Sequence, residues 1–257
     1  MNPNFLNDAE GFWSNIVDEW ARHEESSRVL YEKMANREEK QVEGTIWEKE
    51  WDREFQLVAQ IASKVASRLK HAEPQDLLWI REGWACDDPK RKSFTMWIWR
   101  HGVELPDDLV IPMLHQILHQ DSQVNFAFVE PVVAVRGRHF VIDWLAPFLE
   151  DDNIDYSARS AWAMVTALSE HTVGDTTDLE ELTWKVKEKF LRRFLSKPPT
   201  MLARNLIHLI PLVAENCPPA LRSMVTEVNQ IASRYPDEFL RSMYKIQLAE
   251  QMKAKNS

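Results

Sequence analysis

Two segments of this chain run in parallel at an offset of thirty-one residues. The first reads Ile111-Pro112-Met113-Leu114, then Ile117-Leu118, then Asp121; the second reads Ile142, Leu145, Phe148-Leu149, then Asp152. In each, the apolar positions fall at i, i+3, i+6 and i+7, which is one face of a 3.6-residue helix. Each helix is followed by an acidic turn, Gln120-Asp121-Ser122 or Asp151-Asp152-Asn153, and then by a second apolar-rich segment, Val124–Val135 or Tyr156–Leu168. A repeated helix–turn–helix unit of this length predicts stacked helical hairpins, because one hairpin cannot bury its apolar face alone.

The rest of the chain reads as helix too. Trp13, Ile16, Val17 and Trp20 form one face of a first helix capped by Asn7 or Asp8, followed by a charged stretch, Ala21–Lys40. Trp47, Trp51, Phe55, Val58, Ala62, Val65 and Leu69 recur by fours and threes, a seam that packs either on the first helix or on a partner. Prolines open later segments at Pro74, Asp88-Pro89, Leu105-Pro106, Pro198-Pro199, Pro218-Pro219 and Tyr235-Pro236, and Asp178-x-x-Glu181 reads as a capping box. Pro112, Pro131, Pro147 and Pro211 fall within helical patterns and predict kinks. Gly102, Gly137 and Gly174 read as helix stops. No Asn-Gly or Asp-Gly hairpin turn occurs. The expectation is roughly ten to twelve helices of 10–20 residues.

The repeat resembles the HEAT/armadillo family of α-solenoids. A HEAT unit carries a proline in its first helix, an Asp in the turn and an Arg early in the second helix. Here these are Pro112 or Pro147, Asp121 or Asp152, and Arg159. The prolines do not share the apolar register, Phe128 stands where the first unit needs its Arg, and a third candidate, Phe190–Val213, keeps Ala203-Arg204 without an acidic turn. The resemblance covers about half the chain and implies an all-α fold, a right-handed α-solenoid of HEAT-like helical hairpins with an N-terminal helical extension. The segments are 1–73 for the extension, 74–252 for the solenoid and 253–257 for a disordered tail. A generic helical bundle is the alternative, since amphipathic hairpins imitate these motifs.

Charge separates along the chain. The net charge is −9, yet residues 102–181 carry 15 acids and 3 bases, whereas residues 182–257 carry 6 acids and 13 bases. An acidic repeat surface suits a basic protein partner, since opposed charge speeds encounter and sets specificity. Its candidate contacts are Asp107, Asp108, Asp121, Asp151, Asp152 and Asp155, with Trp97 and Trp99 as aromatic anchors; two tryptophans two residues apart cannot both face one core. A non-enzymatic binder follows, for example an immunity protein or inhibitor that masks a toxin or nuclease. The competing reading is nucleic-acid binding through Lys185, Lys187, Lys189, Arg192, Arg193 and Lys197, which crowd one helix. A HEAT-like fold also occurs in DNA alkylation-repair glycosylases, but those use a basic groove, and an acidic protein is repelled by phosphate.

Catalytic motifs are scarce. His115 and His119 lie one helical turn apart, a spacing that serves zinc, but Gln116 stands where a metalloprotease needs its Glu. Six glycines build neither a phosphate loop nor a dinucleotide turn, and no Gly-x-Ser-x-Gly elbow occurs. No cofactor is expected. Met1–Asp8 lacks the basic start and apolar core of a signal peptide, and the apolar runs are too short to span a bilayer. With two cysteines, Cys86 and Cys217, read as reduced thiols, the expected location is cytoplasmic.

Overall fold

The structure is a computed structural model and describes residues 4–35, 44–120, 125–169, 172 and 177–254. Asp121, Ser122, Val124, Gly174 and the tail beyond Ala254 carry expectations above but lie outside the described residues, as does the side chain of Trp47. The described residues form eleven α-helices and short 3-10 turns, with no strand, as the all-α reading expects. They are α1 (Asn4–Ala35), α2 (Gly44–Leu69), α3 (Pro74–Gly83), α4 (Pro89–Trp97), α5 (Asp107–His119), α6 (Asn125–Leu149), α7 (Ile154–Ala167), α8 (Leu179–Leu195), α9 (Thr200–Ile207), α10 (Arg222–Ser233) and α11 (Glu238–Ala254). None of them is long and apolar enough to cross a membrane. Two compact units result, Met1–Met113 and Leu114–Ser257, with the boundary inside α5.

In the first unit α2 packs on α1. Trp13, Ile16, Val17 and Trp20 are buried from α1, and Val58, Ala62 and Val65 from α2. The seam departs from its sequence reading at one end. Glu54, not Phe55, takes the inward position, because its carboxylate accepts from His23 at 2.9 Å and from the Ser26 hydroxyl at 2.6 Å, both on α1. Neighbouring helix positions point about 100° apart, so Phe55 turns outward and is 68% exposed. Trp51 and Tyr31 meet beside it, ring centroids 5.0 Å apart.

Asp76, in the first turn of α3, is fully buried. It accepts from Trp13 Nε1 at 2.8 Å, Arg68 Nε at 3.0 Å and the Glu73 amide at 3.0 Å, so one carboxylate joins α1, α2 and α3. The α3–α4 contact needs a glycine: a Cβ on Gly83 would lie 2.6 Å from Thr95 Cγ2. The Thr95 carbonyl accepts two indole N–H groups, from Trp84 at 2.9 Å and Trp99 at 2.7 Å. Much of the tryptophan content is therefore interior packing in this unit.

The second unit contains the parallel segments. Ile142–Leu149 lies in its own helical segment, as the sequence predicts: α6 is two helical segments joined across a kink at Gly137 (φ 80°, ψ 164°), where the sequence places a helix stop. Pro131 and Pro147 both lie inside α6, and Pro112 lies inside α5. Pro211 does not kink a helix, since α9 ends at Ile207. The irregular backbone there is satisfied by side chains: Gln251 accepts from the Leu212 amide and donates to the Ile210 carbonyl, and Asn229 donates to the Leu212 carbonyl. Arg138, next to the bend, is buried and donates to the carbonyls of Ala167, Ser169 and Thr172, closing the end of α7.

Helix pairing in this unit is regular. Sequential helices pair as α6–α7, α8–α9 and α10–α11, while α6 touches α8, α8 touches α10, α7 touches α9 and α9 touches α11. The capping box expected at Asp178 is absent: Asp178 stands at the N-cap of α8 with no capping bond, and its carboxylate meets His139 Nε2 on α6.

Candidate protein-binding face

His115 and His119 lie one turn apart on α5, both exposed. Helical spacing puts them on one face, and the two helices beside them supply aromatic partners. The His115 ring meets Trp144 of α6 edge-on at 5.0 Å, and Trp144 lies 4.9 Å from Phe148, one turn on. The His119 ring meets Tyr156 of α7 edge-on at 5.4 Å, with the phenol oxygen 3.4 Å from Nδ1. Trp144, Phe148 and Tyr156 are each half-buried. The five rings form a strip across α5, α6 and α7.

The strip runs beside the α6–α7 turn, where the acidic residues gather. Asn153 caps α7 by accepting from the Asp155 amide at 3.0 Å, and Asp151 Oδ1 accepts from the Asn153 amide at 2.7 Å. Asp151 is half-buried by this role, while Asp152 and Asp155 are exposed. Asp155 also lies in the first turn of α7, where a negative charge suits the helix dipole. Behind the turn, Ser157 donates to the Leu149 carbonyl and Arg159 donates to the Leu118 carbonyl, both at 2.5 Å, locking α7 onto α6 and α5.

Of the other expected acidic contacts, Asp107 and Asp108 open α5 in the first unit, both exposed. Trp99 is buried, with its indole bonded to Thr95, and Trp97 is half-buried with Arg100 5.7 Å from its ring. The geometry brings Asp151, Asp152 and Asp155 together; the two tryptophans belong to the first unit.

Four of the basic residues of α8 have partners within the fold. Lys185 pairs with Glu181 at 2.7 Å, Arg192 with Glu188 at 2.6 Å, and Arg193 approaches Glu150 at 3.7 Å. Lys187 lies over the Trp184 ring at 4.6 Å, and burial lowers its pKa. Lys189 is half-buried, and Lys197, just past the helix, is exposed with a left-handed φ of 58°. Among the described residues, no group of three His, Cys, Asp or Glu side chains could hold a metal ion.

The strip itself was missed by sequence reasoning. Trp144 and Phe148 stand at i and i+4, as do the two histidines, so each pair was visible; that the pairs meet was not. Comparison with protein-family models, with curated proteins and with solved structures gives no match.

Proposed function

We propose that this protein is a non-enzymatic binding module whose second unit docks a basic protein partner. The observation that carries the reading is the half-buried strip His115–Trp144–Phe148 with His119–Tyr156, lying beside Asp151, Asp152 and Asp155. Aromatic rings already packed on one side give up little conformational freedom on binding, which is why such residues act as anchors. The carboxylates at the edge would attract basic side chains and align them. A basic enzyme masked by its inhibitor is one partner of this kind.

A HEAT-like stacking of hairpins is part of the same proposal. It is supported by the alternate-helix packing and by two arginines on second helices: Arg159 reaches back to the end of α5, and Arg204 reaches forward to Asp237, at 2.6 Å. The competing nucleic-acid reading draws less support, because three of the six basic residues on and after α8 face carboxylates of the chain.

The test is retention of proteins from the native source on immobilised wild-type protein, on Asp151→Asn/Asp152→Asn/Asp155→Asn, and on Trp144→Ala. The expected result is a basic protein held at low salt, released by high salt, and lost on both variants. Loss of an anchor of about 2 kcal/mol weakens binding about 30-fold. Equal retention on all three proteins, with circular dichroism unchanged, would overturn the proposal. Nuclease-sensitive recovery of nucleic acid would transfer the function to α8.

A further inference from the structure

The first unit contains a groove of about 930 Å³, walled by Trp20, Tyr31 and Trp97, with His23, Arg100 and His101 among its polar groups. Much of the charge around it is already matched. Arg28 binds Glu25 and Glu32, and Glu24 accepts the Ser93 hydroxyl. What remains is a set of three rings centred on Trp20.

Trp20 is 3% exposed, and its indole N–H is buried with no hydrogen-bond partner. An indole N–H can only donate, so its complement must be an acceptor. Two imidazoles meet the same indole edge-on, His23 at 5.7 Å and His101 at 5.6 Å. His23 is held from behind by Glu54, which is itself buried and also takes the Ser26 hydroxyl. His101 has its pKa lowered, chiefly by burial and then by the nearby His23 and Arg100.

We propose that this groove binds a small aromatic carboxylate. The carboxylate accepts from the Trp20 indole N–H and from His101 once that ring is protonated, and the planar body lies against the aromatic walls. Glu24 and Glu32 on α1 also line the groove, and Glu54 holds His23, so a doubly charged phosphate monoester meets more repulsion than a single carboxylate does. Arg100 supplies positive charge at the rim, while Arg28 is paired with Glu25 and Glu32. Binding draws a proton onto His101, whose free form is neutral near pH 7, so affinity rises as pH falls.

The test uses the full chain with benzoate, phenylacetate and indole-3-acetate as probes and phenyl phosphate as the contrast. Nuclear magnetic resonance follows the Trp20 indole N–H, assigned through Trp20→Phe, and calorimetry measures affinity at pH 6 and pH 8. The expected result is a downfield shift of that resonance with at least one carboxylate. Affinity should be about tenfold higher at pH 6, as linkage of one proton allows, with the pH dependence reduced in His101→Gln. Phenyl phosphate should bind more weakly at pH 8. No shift of the Trp20 resonance by any of the three carboxylates at millimolar concentration overturns the proposal. So does an affinity that ignores pH, or phenyl phosphate binding as tightly as the carboxylates. The groove and the α5–α7 strip lie in different units, so either assignment can fail alone.

Discussion

The Asp76 carboxylate accepts the indole N–H of Trp13 at 2.8 Å, sixty-three residues earlier, in a position closed to solvent. Arg68 supplies the countercharge at 3.0 Å with its own side chain 26% exposed. The pair binds α1 to α3 through a group that would be costly to bury unpartnered.

Asp76→Ala leaves the Trp13 N–H, the Arg68 guanidinium and the Glu73 amide without their acceptor. Losing one side of a buried charged pair costs about 3–5 kcal/mol. Asp76→Asn keeps a carbonyl oxygen and should cost less. Urea unfolding followed by tryptophan fluorescence measures both; an alanine variant within about 1 kcal/mol of wild type would remove Asp76 from this role.

Gly137 has φ 80° and ψ 164°, a conformation that side chains rarely adopt, and a Cβ there would meet nothing within 4 Å. The cost of Gly137→Ala is therefore backbone strain alone, about 1–3 kcal/mol. Thermal unfolding should show the loss. An unchanged melting temperature would mean that α6 bends for another reason.

Arg204 holds Asp237 by two bonds, at 3.0 and 2.6 Å, and the Leu240 amide adds a third. The Arg204 hydrogen bond is the main cause that lowers the Asp237 pKa. A lowered carboxylate pKa stabilises the fold above the unfolded value and loses that contribution as pH falls through the folded value. The stability gap between wild type and Asp237→Asn should be present at pH 6 and shrink toward pH 3. A gap constant across that range would contradict the assignment.

Cys217 is 3% exposed, and burial raises its thiol pKa, with Lys187 and Arg222 opposing the shift. The thiolate is the reactive form. Iodoacetamide at pH 7.5 should label the half-exposed Cys86 first and reach Cys217 only after denaturation, read by peptide mass spectrometry. Equal labelling rates in the native protein would show the C-terminal helices to be open.

Local pattern carried much of the fold. The Trp13–Trp20 face, the acidic turn at Asp151–Asn153 and the proline-led starts of α3 and α4 all rest on short spacings and fixed backbone preferences. The α2 seam was legible at Val58, Ala62 and Val65 but not at Phe55, because periodicity cannot tell that Glu54 finds His23 and Ser26 across the hairpin. Asp178 illustrates the same limit: its spacing to Glu181 fits a capping box, but His139, thirty-nine residues earlier, takes its carboxylate. The candidate face was half legible. Asp151, Asp152 and Asp155 stand out by charge, while the aromatic strip beside them depends on contacts between three helices.

That the chain is helical, and where several of its helices start, bend and stop, can be read from local pattern, because helix periodicity, proline and glycine act within a few residues of themselves. Which rings meet, which carboxylates are buried and which cations are already paired is set by long-range packing. Those outcomes depend on hydrogen bonds and ring contacts between residues such as Trp13 and Asp76 or His115 and Trp144, whose separation along the chain says nothing about their separation in space.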